Sequence, residues 1–375
     1  MTERERFRET LLFGSPDRIP FAPGGPREST RAAWRQQGLE NPERYMDALY
    51  EVLGFRPDPP RQPGVGLGVS FQMIPTFEEK VLEHRDGHYI VQDWMGAITE
   101  ISDQYDYTYI RSAKDFVTRK WHKFPVETRA DWEGMKWRFD PHSPARFPAD
   151  FEARCERNRA RDTVLGIHFN GPFWQLREWC GFEGLCLKMI EEPGFVAEMA
   201  EFWAEFVSAT MQPILERVQL DYVGLSEDMA YKEHSMISPR MARIYLQPAY
   251  ERWADEIRAS GCEIIDMDSD GHVGELIPIW IESGINACDP IEVAAGNDIV
   301  AFRRAFGRSM AYKGGVDKRA IARGGDAIAA ELERIRPVAE DSGYIPSCDH
   351  GVPPDISWPN FVHYSRLLAR LTGWL

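Results

Sequence analysis

Paired cysteines, long apolar runs and clusters of basic residues are all missing from this chain. Its six cysteines, among 375 residues, are scattered and form no CxxC pair, so neither a disulfide framework nor a structural zinc site is predicted. No window approaches the ~20 apolar residues of a membrane span, and the first residues contain no run long enough for a signal peptide. We therefore expect a cytoplasmic protein with no membrane partner.

The charge balance and the missing motifs exclude further classes. The formal net charge is −15, whereas nucleic acids and anionic membranes reward clusters of Lys and Arg. We therefore expect no nucleic-acid partner. The sequence also lacks a phosphate-binding loop, a strand-linked dinucleotide fingerprint, a GxSxG elbow and an HExxH helix, which removes the commonest nucleotide-binding, serine hydrolase and zincin classes.

From about residue 160 onward, short apolar runs alternate with longer amphipathic stretches. Each run is short enough for a buried strand, and repeated alternation of strands and helices implies a parallel sheet. With an early strand at 18–23, the pattern predicts an α/β fold, an eight-stranded (β/α)8 TIM barrel, as a single domain over residues 1–375. The runs are residues 163–170, 221–228, 263–270, 285–292, 309–317 and 343–350.

Residues 57–150 break this rhythm with a Pro- and Gly-rich stretch followed by aromatic and charged segments. We interpret them as a large insertion after the first strand, with a small antiparallel sheet, covering the barrel mouth.

Active sites of such barrels lie at the carboxyl ends of the strands. Here those ends form an unusually acidic rim. It comprises His168, Asn170, Glu227, Asp228, Asp268, Asp270, Asp289, Glu292, Lys313, Asp317, Cys348, Asp349 and His350.

Three aspartates spaced by two, Asp266, Asp268 and Asp270, end the strand-like run EIIDMDSD. Strand periodicity would place them on one face, where they repel each other unless a cation or a proton lies among them. Asp268 and Asp270, with His350 from another strand, are therefore candidates to hold a divalent metal or to share protons. The alternative is that one aspartate caps a helix that begins near Val273.

Two carboxylates end the run at 221–228. Glu227 and Asp228 are candidates to orient a substrate or to handle its proton, with Tyr231 in the loop after them. An ion pair with Lys232 is the alternative.

Further candidates lie near other strand ends. Trp174 and Arg177, on a helix after the strand that carries His168, form a candidate stacking and carboxylate-binding pair, with ordinary packing as the alternative. Arg27 follows two glycines and is a candidate partner for an acid group. Cys348 is interpreted as a small strand residue rather than a thiolate.

As a set, these stretches resemble the uroporphyrinogen decarboxylase superfamily over nearly the whole chain. The resemblance implies a distorted (β/α)8 barrel and one of two chemistries: decarboxylation of a porphyrinogen without a cofactor, or methyl transfer involving a corrinoid protein or a thiol. The segments that carry it are residues 2–21, 227–241, 268–272, 285–296, 312–321 and 344–361.

Departures from the family patterns favour methyl transfer. His350 matches the late histidine of the decarboxylase and Arg27 one of its early arginines, but the FQMIP stretch at 71–75 lacks the aspartate of the decarboxylase's Phe-Ser-Asp. The acidic rim also suits a polycarboxylate poorly. The coenzyme M methyltransferases bind zinc through His-x-Cys and a distant Cys, where this chain has Asp268-x-Asp270 and the loop with His350.

The resemblance therefore predicts a methyltransferase that moves a methyl group between a small methoxylated or methylamine-type compound and a corrinoid (cobalamin) carried by a partner protein. Its predicted catalytic residues are Asp268, Asp270, His350, Glu227 and Asp228. Zinc or another divalent metal on Asp268, Asp270 and His350 is part of this hypothesis. The predicted substrate-binding residues are Arg27, Trp174, Arg177, His168 and Tyr231.

Two alternatives stay open: a uroporphyrinogen decarboxylase-like lyase, and a non-catalytic barrel that binds a small molecule or a tetrapyrrole. The oligomeric state is open too, with a homodimer as one alternative.

Overall fold

A computed structural model describes residues 1–108 and 117–375. Residues 109–116, which belong to the predicted insertion, lie outside the described residues. The chain divides into two compact units. The first comprises residues 1–66, 152–168 and 215–375, and the second comprises residues 67–151 and 169–214.

A six-stranded sheet holds the apolar runs predicted from the sequence. Its strands are β5 (Gly166–Asn170), β6 (Tyr222–Ser226), β7 (Ile264–Asp268), β8 (Ala287–Asp289), β9 (Ala311–Val316) and β10 (Tyr344–Cys348). They lie in the order β10-β9-β8-β7-β6-β5, and the described pairings from β6 to β10 are all parallel. Each of the six predicted strands is thus confirmed, together with the α/β class.

The early strand predicted at 18–23 is wrong, since that segment contains no strand. Pro20 and Pro23 lack the N–H group that a ladder needs. A single parallel bridge instead joins Pro26 to Val352, and it places the GGPR loop beside the end of β10. An eight-stranded barrel therefore stays a prediction.

Helices separate the strands of this sheet. Ser238 caps one of them, with its Oγ accepting from the Met241 N–H at 3.2 Å and Pro239 in the first helical position, as the Ser-Pro pair predicts. No described helix is long and apolar enough to cross a membrane. The α-helices of the described residues are Glu3–Leu11, Glu28–Gln36, Tyr45–Leu53, Arg129–Met135, Phe151–Arg159, Pro172–Cys180, Phe182–Glu191, Pro193–Leu215, Pro239–Tyr245, Gln247–Ala259, Ile277–Glu282, Ile299–Phe306, Lys318–Arg323, Asp326–Glu340 and Trp358–Leu371.

The first helix packs its apolar face against the early residues of the parallel strands. Leu11 joins a buried cluster with Ile264, Ala287, Ala311 and Ile345, residues that lie at or near the beginnings of β7 to β10. Burial of such side chains stabilises the fold by about 1.5–3 kcal/mol each. The cluster leaves the opposite, carboxyl edge of the sheet for polar side chains.

The second unit contains an antiparallel sheet and an aromatic core. Strands β1 (Lys80–Arg85), β2 (His88–Gln92), β3 (Ile98–Ser102) and β4 (Arg119–Lys123) pair in sequence order, which confirms a small antiparallel sheet within 57–150. Trp132, Phe139, Trp179 and Trp203 are buried and contact each other edge-on or tilted. That this segment covers a barrel mouth stays a prediction.

Candidate functional site

The candidate site of the first unit is built from loops at the carboxyl edge of the parallel sheet. Because the strands are parallel, the residues that follow each strand meet at one edge. Asp270 follows β7, Glu292 follows β8, Lys318 follows β9 and His350 follows β10. The bridge between Pro26 and Val352 brings the neighbouring Arg27 to the same edge.

The three aspartates of the EIIDMDSD run have three different environments. Asp266 and Asp268 lie within β7, whereas Asp270 lies beyond its end. Asp266 is buried, and Asp268 and Asp270 are partly exposed. The three carboxylates therefore differ in position and in burial, and each has its own contacts.

Lys313 of β9 neutralises the deepest carboxylate. Its Nζ lies 2.5 Å from Asp266 Oδ2 and 3.3 Å from Asp289 Oδ2. Burial works to lower the pKa of Lys313, but the two carboxylates outweigh it and raise that pKa. Burial, with the charge of Asp266 adding to it, raises the pKa of Asp289 to about 8. The Lys313 ammonium group is therefore shared by two carboxyl groups. Asp289 keeps its proton to a higher pH than an ordinary aspartate does.

Asp268 keeps its proton to a higher pH than an ordinary aspartate does. Burial raises its pKa to about 6, and the charges of Asp228 and Asp270 add to that rise. The Ser226 hydroxyl donates to Asp268 Oδ2 at 3.2 Å. Asp268 thus fits proton sharing, one of the two roles predicted for it.

Asp270, Glu292 and His350 form the group of potential metal ligands among the described residues, with one ligand atom from each lying within 4.8 Å of the others. Two of the three predicted ligands therefore come together, and Glu292 occupies the place that was predicted for Asp268. Glu292 appeared on the acidic rim, but its spacing from Asp289 did not mark it as a ligand.

His350 is held from both sides of its ring. Its Nε2 lies 3.2 Å from Asp270 Oδ2, and its Nδ1 lies 2.8 Å from Arg27 Nη2. The hydrogen bond with Asp270 raises the pKa of His350, and the charge of Glu292 adds to that rise. The structure therefore joins Arg27 to His350, two residues predicted separately.

Glu292 also has partners within the site. Lys318 Nζ donates to Glu292 Oε1 at 2.8 Å, and the Gly271 N–H donates to Glu292 Oε2 at 3.1 Å. Two carboxylates and an imidazole are ligands that suit zinc and similar divalent ions. A ligating histidine normally donates its second ring N–H to an acceptor, whereas Arg27 offers only donors to Nδ1. The donor set fits a metal in type and spacing, and ligation by His350 requires Arg27 to lie elsewhere.

The turn after β7 brings the 227–231 loop against Asp270. Asp228 Oδ1 accepts the Asp270 N–H at 3.2 Å. Gly271 has a φ of +83°, and a Cβ there would lie 2.4 Å from the carbonyl oxygen of Ala230, so only glycine fits. The next helix begins at Ile277 with Leu276 at its N-cap, so Asp270 does not cap it.

Glu227 is fully buried and accepts a hydrogen bond from the Tyr250 hydroxyl. Burial, followed by the charge of Glu227, raises the pKa of Tyr250 well above its usual value, so the phenol stays a donor. Tyr231 is 52% exposed, and its backbone bonds to His234 and His272. The structure thus places Glu227 in the interior and Tyr231 at the surface.

His168 lies on β5 beside Tyr222, with its Nε2 2.9 Å from the Tyr222 hydroxyl. A Cβ on Gly224 would lie 2.2 Å from His168 Nδ1, so the glycine of the next strand makes room for the ring. Cys348 is buried, and burial raises the pKa of its thiol to about 12. It is therefore a thiol, as the sequence interpretation favoured.

Trp174 and Arg177 belong to the second unit, on the helix Pro172–Cys180. The Arg177 guanidinium lies 5.0 Å from the centre of the Trp174 ring, and the Trp174 Nε1–H donates to Glu178 Oε1 at 2.7 Å. The predicted pair does stack. Glu178, which accepts that hydrogen bond, was not singled out from the sequence.

Comparisons with known proteins find similarity in both sequence and fold. The chain is 27% identical over 134 residues to a uroporphyrinogen decarboxylase from Maricaulis maris, and the aligned part is 36% of this chain and 37% of that protein. The match thus spans just over a third of that relative's length. The fold is similar to that of a methyltransferase from Methanosarcina mazei, with a TM-score of 0.59, 15% identity and 98% of each chain covered. These likenesses support placement in the uroporphyrinogen decarboxylase superfamily.

No protein-family model matches the sequence. The relative found by sequence is a decarboxylase, and the protein with the similar fold is a methyltransferase. The superfamily resemblance stated from the sequence is confirmed at this level.

Proposed function

We propose that this protein is a methyltransferase that moves a methyl group between a small methoxylated or methylamine-type compound and a corrinoid carried by a partner protein. The observation that carries the proposal is the Asp270, Glu292 and His350 cluster, with ligand atoms within 4.8 Å of each other. Asp270 and His350 of this cluster belong to the segments that the resemblance compares with the zinc-binding segments of the coenzyme M methyltransferases, and the fold likeness to a methyltransferase supports the proposal. The corrinoid is a substrate on the partner rather than a resident group.

Methyl transfer from an ether or an amine needs help at the leaving atom. The bond from the methyl carbon to oxygen or nitrogen breaks, the methyl group passes to the corrinoid, and the electron pair stays on the heteroatom. That heteroatom then gains a proton or an electrophile. Without a metal, His350 Nε2 and the Asp268 carboxyl are the groups that can hold this proton. A divalent metal on Asp270, Glu292 and His350 would supply electrophilic activation instead, and the proton would then fall to Asp268.

The test is metal analysis combined with methyl transfer to free cobalamin. We expect a divalent metal in the wild type, loss of most of it in Asp270→Asn and Glu292→Gln, and retention in Asp268→Asn, since Asp268 lies outside the cluster. Demethylation of the small compound should fall in all three. Full activity in wild type stripped of metal would remove the metal from the proposal, and no transfer with any methoxylated or methylated compound would remove the function.

A porphyrinogen decarboxylase activity is the second candidate, because the matched sequence is that of a uroporphyrinogen decarboxylase. Incubation with the porphyrinogen and measurement of released CO2 decides between the two.

A further inference from the structure

A small pocket lies within the second unit. Its volume is about 220 Å³, below the roughly 300–1,000 Å³ of pockets that hold drug-sized ligands, so its occupant is small. The lining residues are Gln72, Met73, Trp94, Met95, Phe139, Asn170, Trp174, Gln175 and Glu178.

The pocket contains one charged side chain among its described lining residues, Glu178. Its carboxylate accepts from Trp174 Nε1 at 2.7 Å, from Asn170 Nδ2 at 3.3 Å and from Gln175 Nε2 at 3.3 Å. All three donors are neutral groups. Two are long for hydrogen bonds, so the carboxylate keeps capacity for a stronger, charged partner.

The surrounding charges do not replace such a partner. Arg177 and Arg119 attract Glu178, while Asp93 adds a second negative charge nearby. Neither arginine lines the pocket. Burial raises the pKa of Glu178, ahead of these effects, and a cation in the pocket would stabilise the ionised form.

The rest of the lining suits methyl groups on a cation. Trp94, Trp174 and Phe139 offer aromatic rings, whose faces attract cations, and Met73 and Met95 offer polarisable thioethers. Aromatic rings with a carboxylate are the chemistry that recognises quaternary ammonium groups.

We propose that this pocket binds the methylated ammonium group of a small molecule, with Glu178 as its counter-ion and Trp94, Trp174 and Phe139 around its methyl groups. As a binding site the proposal stands alone.

The test compares two ligands of the same shape and different charge by isothermal titration calorimetry. Choline carries a trimethylammonium group, and 3,3-dimethylbutan-1-ol is its neutral counterpart. We expect choline to bind at least about tenfold more tightly, since a partly buried carboxylate attracts a cation and does not attract its neutral counterpart. Equal affinity for the two, or no binding of choline at millimolar concentration, would overturn the proposal.

Two variants and a matched control locate the binding. Glu178→Gln should lose at least about tenfold in choline affinity and little for the neutral alcohol, whereas Glu183→Gln, at an exposed position of the same unit, should change neither. Should Glu178→Gln fail to fold by circular dichroism, Trp94→Leu and Trp94→Phe take its place, with loss expected only in the leucine variant. Unchanged choline affinity in the folded variants would place the ligand elsewhere and overturn the proposal.

The same preparations separate this inference from the proposed function. If choline binds, Glu178→Gln abolishes that binding and no compound donates a methyl group, the pocket proposal is supported and the methyltransferase proposal is wrong. If a methoxylated compound donates its methyl group and choline does not bind, the methyltransferase proposal is supported and the pocket proposal is wrong.

Discussion

Arg27 Nη2 lies 2.8 Å from His350 Nδ1, and this pairing determines which ring nitrogen carries the proton. A guanidinium group only donates hydrogen bonds, so Nδ1 must accept. The proton of a neutral ring then lies on Nε2, 3.2 Å from Asp270 Oδ2. Arg27 therefore aims the N–H of His350 at the acidic cluster, although the two residues are 323 positions apart.

Replacing Arg27 by methionine should release this constraint. We expect the wild type to show the Nε2–H form of His350 in proton–nitrogen correlation spectra, and Arg27→Met to show a mixture of both tautomers. Arg27→Lys, which keeps a cationic donor, is the control. An unchanged Nε2–H population in the methionine variant would mean that Asp270 alone sets the tautomer.

The same substitution should favour metal binding. With Arg27 absent, Nδ1 can carry the proton and Nε2 can offer its lone pair, so Arg27→Met should bind Co²⁺ more tightly than the wild type in a spectroscopic titration. Adding His350→Ala should cancel the gain. A gain that survives without His350 would show that the metal lies elsewhere.

Lys313 should be essential to stability, because it separates two carboxyl groups inside the sheet. Lys313→Met leaves Asp266, which is 2% exposed, without its cation, and breaking such a pair costs about 3–5 kcal/mol. Urea unfolding measures this loss. In the triple variant with Asp266→Asn and Asp289→Asn we expect most of it to be recovered, since no buried charge is left; a triple variant as unstable as Lys313→Met would point to packing instead.

The positions of the strands could be predicted from the sequence better than which loop residues come together at the sheet edge. The six buried runs were recognisable because apolar segments of strand length recur between amphipathic ones. The run at 18–23 was mistaken for a strand despite Pro20 and Pro23, which remove ladder donors.

The metal cluster shows why sites are harder to predict. Period-two reasoning extended β7 to Asp270, but the strand ends at Asp268, and the turn after it carries Asp270 to Glu292 and His350. Glu292 and Lys318 follow β8 and β9, and no spacing along the chain states how far each loop reaches over the sheet edge. Carboxylates after consecutive parallel strands were the available signal for Glu292.

Asp289 should make the protein less stable as the pH rises. Its pKa is raised to about 8 in the folded chain by burial and by Asp266, whereas an unfolded aspartate titrates near ~3.9. Between these values the folded state binds more protons than the unfolded state, so stability falls with increasing pH and levels off above about 8.

Asp289→Asn should remove this slope. The variant's melting temperature relative to the wild type should therefore increase from pH 5 to pH 8, as followed by circular dichroism. Asp255→Asn, an exposed carboxyl of the same unit, controls for the loss of one negative charge. A constant difference across that range would show that Asp289 is ionised in the folded protein throughout.

Tyr250 and Glu227 should be energetically coupled in the interior. Glu227 is fully buried and Tyr250 is 1% exposed, and burial keeps the pKa of the phenol far above neutrality, so its hydroxyl donates to the carboxylate at every working pH. Tyr250→Phe removes that bond and should lower the free energy of unfolding by about 1–3 kcal/mol. A double-mutant cycle with Glu227→Gln measures the coupling, and Tyr231→Phe, at a 52% exposed position, should cost far less. Additive effects of the two buried substitutions would show that the contact adds nothing to stability, and Glu227 would then have to be kept in this position by its other interactions.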